Sequence, residues 1–148
     1  MKTTLPRGEI LRLFQGSIHC SQIVLSQWAE ELGYDREEAC RMAAPFGGGC
    51  FRGDTCGAVA GAMIAIGLRY GHCEAGDVEG NAAMIAKTKE FQEKFIEKHG
   101  TLDCRELIGY DFSEEGEFEK AMESGILFEK CPDFVNDALA ILDEMMEE

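Results

Sequence analysis

At 148 residues the chain has the length of one ordinary domain, which buries roughly two-thirds of its unfolded surface without covalent staples. Its 45% hydrophobic and 28% charged residues exclude disorder and fibrous repeats. The formal charge of -14 excludes nucleic acid as a partner, because affinity for a phosphate backbone comes from Lys and Arg displacing counterions.

Helical periodicity runs through nearly the whole chain, and no segment alternates as a half-buried strand does. The expected fold is all-α, a single-domain bundle over residues 1–148 with about six to eight helices around a central apolar one at about 56–70. A short first helix is predicted from Pro6 to Phe14. A second opens with Ser17 as N-cap, sets Cys20, Val24, Trp28 and Leu32 on one stripe, and stops at Gly33. That register puts Cys20 in mid-helix on a buried face. Asp35 followed by Glu38 resembles a capping box and starts a helix through Cys40 and Met42 to Pro45. Phe46-Gly47-Gly48-Gly49-Cys50-Phe51-Arg52-Gly53 is a loop, since glycines cost about 1 kcal/mol each in a helix and free the backbone for positive φ.

Asp54 or Thr55 can cap the next helix, Cys56 to Tyr70, which is apolar on nearly every side and carries the small residues Ala58, Gly61, Ala62 and Ala65. Such a helix belongs in the middle of a bundle, with neighbours in close approach. A longer amphipathic helix follows from about Asp77 to His99, stopped by Gly100. Thr101 can cap a short helix containing Cys104 and Leu107, and Ser113 another from Glu114 to Glu123. The final helix is predicted to start at Pro132, a favoured first-turn residue. Glu114, Glu115, Glu117, Glu119 and the run from Asp143 to Glu148 read as solvated helix faces. The first ten residues lack the apolar core of a secretory signal. The longest apolar stretch, Ala58 to Leu68, is far short of the roughly 20 residues of a membrane helix, so a cytoplasmic protein not embedded in a membrane is expected.

Seven cysteines are many for a chain that needs no disulfides and is expected in a reducing compartment. On the predicted elements Cys56, Cys104 and Cys131 stand at helix starts, where unpaired N–H groups and the helix dipole lower a thiol pKa. Redox or metal-ligand chemistry centred on Cys56 is therefore the expected function. No Cys-x-x-Cys is present, so a thioredoxin-like motif, a zinc knuckle and a ferredoxin run are all missing and any site must be assembled by the fold. Cys50 and Cys56 are the closest pair in sequence and can meet across the loop. The loop's Gly47, Gly48 and Gly49, with Gly57, are candidates for bringing backbone N–H groups to a bound group, and Arg52 for holding an anion or a thiolate. A Walker register is absent, and Arg52 stands where a dinucleotide fingerprint needs its last glycine. His19 and His72 read as ordinary exposed or core histidines.

Cys56-Gly57-Ala58-Val59-Ala60-Gly61, with Cys20 before it, the Phe46-to-Gly49 loop, and Cys104 and Cys131 after it, resembles the redox-active protein family named for its C-GCAxxG-C-C cysteine pattern. The resemblance covers nearly the whole chain. It implies a compact helical domain in which Cys20, Cys56, Cys104 and Cys131 share one site, in small bacterial redox proteins often encoded near transporters. A related domain is found with c-type haem, but no Cys-x-x-Cys-His attachment sequence is present here. Cys40, Cys50 and Cys73 lie outside the pattern. Two chemistries stay open. One is thiol–disulfide exchange or electron transfer, with Cys56 attacking and Cys20, Cys104 or Cys131 resolving. The other is a metal site, an iron–sulfur cluster or Zn²⁺ held by the same four cysteines. A non-catalytic interaction protein is the third reading. A redox partner protein is expected, and a homodimer is left open.

Overall fold

The computed structural model describes residues 1–147; Glu148, the last of the acidic run, lies outside them. Among the described residues there are eight α-helices and no strand, in accord with the all-α expectation. They are α1 (Arg7–Gln15), α2 (Cys20–Ala29), α3 (Arg36–Ala43), α4 (Gly57–Tyr70), α5 (Val78–His99), α6 (Cys104–Ile108), α7 (Glu117–Ser124) and α8 (Ile126–Met146).

The junction of α1 and α2 departs from the predicted register. Ser17 adopts φ 66° and closes α1 instead of opening α2. Its N–H donates to the Phe14 carbonyl at 3.0 Å and that of Ile18 to the Leu13 carbonyl at 2.9 Å, the two bonds of a Schellman ending. The helix restarts at Cys20, with His19 at the cap and the Gln22 side chain accepting the His19 N–H at 2.9 Å. Cys20 is thus the first residue of α2, not a mid-helix residue. The start of α3 is as expected, with the Asp35 carboxylate accepting the Glu38 N–H at 2.9 Å.

The second departure is α8, which begins at Ile126 and runs through Pro132. A proline inside a helix removes the N–H that would serve the carbonyl four residues back. Here that is Phe128, and the Arg7 guanidinium donates to the Phe128 carbonyl at 3.1 Å, to the Glu129 carbonyl, and to the Asp133 carboxylate at 3.0 Å. A long-range cation thus serves the carbonyl that the proline leaves open, and Cys131 ends up inside a helix, not at its start. Two smaller corrections follow the same logic of local hydrogen bonding. Asp103, not Thr101, caps α6. Ser113 donates its N–H to Asp111 at 2.9 Å in a turn, and α7 begins only after Gly116, at φ 81°.

The α4 helix holds the centre, packed against α2, α5 and α8, and Ala58, Val59, Ala62, Ala65 and Ile66 are fully buried. Its small residues set the spacing. A Cβ on Gly61 would stand 2.6 Å from the Ser21 carbonyl oxygen and 3.1 Å from the Ser21 Cα, so α2 crosses α4 backbone to backbone. The acidic C-terminus is only partly the solvated face it was read as: Asp143 accepts the Thr3 N–H at 2.8 Å and its hydroxyl at 2.6 Å, tying the N-terminal segment to α8.

Gly61→Val should lower stability by about 2–3 kcal/mol, because overpacking against backbone has nowhere to relax. Urea unfolding measures this, and an unchanged midpoint would contradict the close helix crossing.

Candidate functional site

The four pattern cysteines reach one cavity from four places in the chain. Cys20 arrives on the first turn of α2, Cys56 at the N-cap of α4, Cys104 on the first turn of α6, and Cys131 on the second turn of α8. All four line a cavity of about 180 Å³. Cys56 and Cys104 are buried, and Cys20 and Cys131 half-buried.

Three local devices place them. Cys56 and Cys104 sit on two short antiparallel segments bridged at Thr55 and Asp103. The Cys56 N–H donates to the Leu102 carbonyl and the Cys104 N–H to the Asp54 carbonyl, both at 2.7 Å. Arg105 staples this pair to the preceding loop, donating from Nε to the Gly53 carbonyl at 3.0 Å and pairing with the Asp54 carboxylate and, at 3.5 Å, with Asp111. The second device is Gly57. A Cβ there would stand 2.4 Å from Cys20 Sγ and 3.0 Å from the Phe46 carbonyl oxygen, so only glycine lets the Cys20 sulfur settle against the first turn of α4. The third is the loop itself, in which Gly48, Gly49, Cys50 and Phe51 are all left-handed, at φ 57°, 63°, 57° and 57°. For Cys50 and Phe51 that conformation costs roughly 1–2 kcal/mol each. It aims Phe51 back over His19, with ring centroids 5.0 Å apart.

The candidate group-binding residues divide. Gly48 and Gly57 line the cavity. Gly47 does not; it lies against the His19 side chain, which a Cβ would meet at 2.6 Å. Gly49 is excluded too, folded onto the Asp54 backbone. Arg52 is exposed and outside the wall, and the guanidinium that orders the loop belongs to Arg105, which sequence reasoning missed because its partners lie some fifty residues away. Cys40 is held by the Gln22 amide at 3.4 Å, and Cys50 and Cys73 are exposed; none of the three lines the cavity, so the proposed meeting of Cys50 with Cys56 does not occur there. The reading also missed the aromatic wall, in which Phe14, Phe51, Phe112, Phe118, Phe128 and Phe134 surround the sulfurs, because those phenylalanines share no spacing in the chain. His19 lines the cavity as well, and burial lowers its pKa.

The expectation of low thiol pKa values is overturned. Burial pushes Cys56 far up, and the neighbouring Cys20 and Cys104 push the same way; the Val59 and Ala58 N–H groups pull back without winning. Cys104 is pushed up to about 12, by burial first and then by Cys20, against the opposing pull of Arg105. Burial likewise holds Cys131 well above the usual thiol range, with the other three cysteines adding to it. Cys20 is raised by burial and eased by the N–H groups of Gly48, Ser21 and Ala58. A partial dipole charge at a helix start is outweighed by the loss of water around the sulfur.

A family model described as "Putative redox-active protein (C_GCAxxG_C_C)" matches residues 18–145. The chain belongs to this family. The match takes in all four cysteines, the left-handed loop and both motif glycines, and Gly57 and Gly61 have a physical reason for being there: they are the two points where α4 receives α2. Neither a curated protein nor a solved structure matches the chain. No described helix is long and apolar enough to cross a membrane.

Two outcomes follow for this family member. Its buried thiols stay protonated in the fold at pH values where an unfolded thiol, with a pKa of about 8.5, ionises. The unfolded state therefore loses protons first, and the reduced, metal-free protein should be most stable below about pH 8.5, losing stability progressively toward about pH 12. Thermal melts from neutral to alkaline pH read this; a flat profile would contradict the buried, neutral thiols. Arg105→Ala should cost less than about 1 kcal/mol of global stability, since its ion pairs are half-exposed, yet it should speed alkylation of Cys56 and Cys104 by iodoacetamide several-fold as the stapled segments open. Alkylation at the wild-type rate would remove Arg105 from the site's support.

Proposed function

We propose that this redox-active protein is an electron-transfer protein of the cytosol, in which Cys20, Cys56, Cys104 and Cys131 act as one centre that holds an iron–sulfur cluster. The observation that carries the reading is the electrostatic state of the sulfurs. Four thiols face one cavity, desolvated and mutually repelling as anions, and no charged side chain stands in its wall. Ionising all four there requires positive charge placed among them, which bound iron provides. A thiol-exchange nucleophile needs the opposite, a solvent-accessible thiolate.

The donor set fits such a group. Its four ligands would be the four cysteine sulfurs, and the cluster would supply one-electron transfer at a potential set by burial and by hydrogen bonds to sulfur. This chain's own part is to exclude water with the phenylalanine wall and to bring the Gly48 and Ala58 N–H groups to the Cys20 sulfur, which stabilises its negative charge. A tetrahedral Zn²⁺ fits less well. It needs all its sulfurs about 2.3 Å from one point, whereas a cluster takes its sulfurs on different irons, and among the described residues no three or more His, Cys, Asp or Glu side chains converge to hold a single ion.

Thiol–disulfide exchange is the second reading, favoured by one contact: the Cys20 sulfur sits against Gly57, the residue next to Cys56. The two separate in one preparation. Protein purified without oxygen is expected to be coloured and to contain iron and acid-labile sulfide, both lost in Cys104→Ser. Colourless, iron-free protein whose free thiols disappear in pairs on mild oxidation would replace the cluster reading with exchange.

A further inference from the structure

The wall of the cysteine cavity is almost wholly apolar apart from its sulfurs. Nineteen residues line it, and none is Asp, Glu, Lys or Arg. Six of them are phenylalanines, and the polar side chains among them are confined to Ser17 and His19, apart from the sulfurs. Apart from Ser17, the exposed residues of the wall are apolar: Phe51 at 42% exposure, Phe118 at 41% and Met122 at 41%. Large apolar side chains left exposed around a concave opening are the usual mark of a ligand entrance, not of a solvated surface.

Size and charge restrict what enters. An apolar cavity of about 150 Å³ walled by Leu, Ile and Phe stays dry and binds benzene, and this one measures about 180 Å³. That room accepts one aromatic ring fully, with a second fused ring reaching toward the opening. The rings already there meet edge to face, His19 with Phe51 at 5.0 Å and Phe112 with Phe118 at 5.2 Å, the geometry an inserted ring would also adopt. A charged organic molecule gains nothing from this wall. An anion would be repelled by the net charge of -14 and would find no cation in the wall, while a cation would find no carboxylate.

We infer that this cavity is a binding site for an uncharged aromatic molecule of one or two fused rings, entering past Phe51, Phe118 and Met122, and that charged molecules are excluded from the cysteines. A cluster held by the four sulfurs would take the same space, so this is a site of the chain without iron, and that the guest binds does not rest on the reading above.

The test is a fluorescence titration of the full chain, reduced and freed of any iron with a chelator, with 2-naphthol as the uncharged probe and 2-naphthalenesulfonate as its charged counterpart. Saturable binding of one 2-naphthol per chain is expected, with the sulfonate weaker by at least about ten-fold because its charge must be desolvated. Phe118→Glu, on the exposed rim, should weaken 2-naphthol by a similar factor, while Phe118→Leu keeps affinity within about three-fold; circular dichroism melts show whether each variant is folded. Absence of saturable 2-naphthol binding, equal affinity for the sulfonate, or a folded Phe118→Glu that binds as tightly as wild type would each overturn the proposal. Iron and thiol content are measured on the same protein before chelation, so failure of the cluster reading shows there and not in the titration.

Discussion

The α2 and α4 helices meet without side chains between them, at Gly57 and Gly61, and most of what is chemical in this molecule follows from that contact. Gly61 admits the backbone of Ser21, and one turn earlier Gly57 admits the sulfur of Cys20. The crossing therefore does two things at once: it brings the two central helices together, and it carries a sulfur from α2 to the residue beside the N-cap cysteine of α4. A methyl group at either glycine would force the helices apart, and with them the first two of the four sulfurs. The core is consistent with this constraint, since the residues of α4 that face its neighbours are mostly alanine and valine, too small to hold α2 at a distance.

Around that crossing the protein spends conformational strain and buried polarity on the site. Four successive left-handed residues fold the segment between α3 and α4 back toward His19, and two of them are not glycine. Arg105 reaches across some fifty residues to hold the end of that segment, and Arg7 reaches farther still to satisfy the Phe128 carbonyl that Pro132 frees, one turn before Cys131. Each arginine substitutes for a hydrogen bond that regular secondary structure cannot supply at that place. Both act next to a cysteine of the candidate site, on segments where local pattern and observed fold disagree or where no pattern exists.

Electrostatics then decides which chemistry suits the assembled sulfurs. The helix starts at Cys20, Cys56 and Cys104 do aim N–H groups and a dipole at the thiols, but the charge those features offer is partial and short-ranged. Removing water from four neighbouring thiols is the larger effect, and their mutual repulsion adds to it. The result is a set of neutral thiols instead of poised nucleophiles, and both proposals above build on that.

The residue pattern alone determined the helical class, the central place of the apolar helix and the loop at Gly47–Gly53, because periodicity, capping and glycine content are local properties that write themselves into consecutive residues; the set of four cysteines came from the family resemblance. Even the motif glycines were visible, though not their purpose. What only the tertiary structure decided is everything that depends on partners distant in the chain: that Cys20 begins its helix while Cys131 lies inside one, that Arg105 and not Arg52 orders the loop, that Asp143 ties down the N-terminus, and that six unpatterned phenylalanines enclose the sulfurs. The thiol ionisation reversed for the same reason. A helix start can be read from a few neighbours, but the depth of burial that overrides it is a sum over the whole fold.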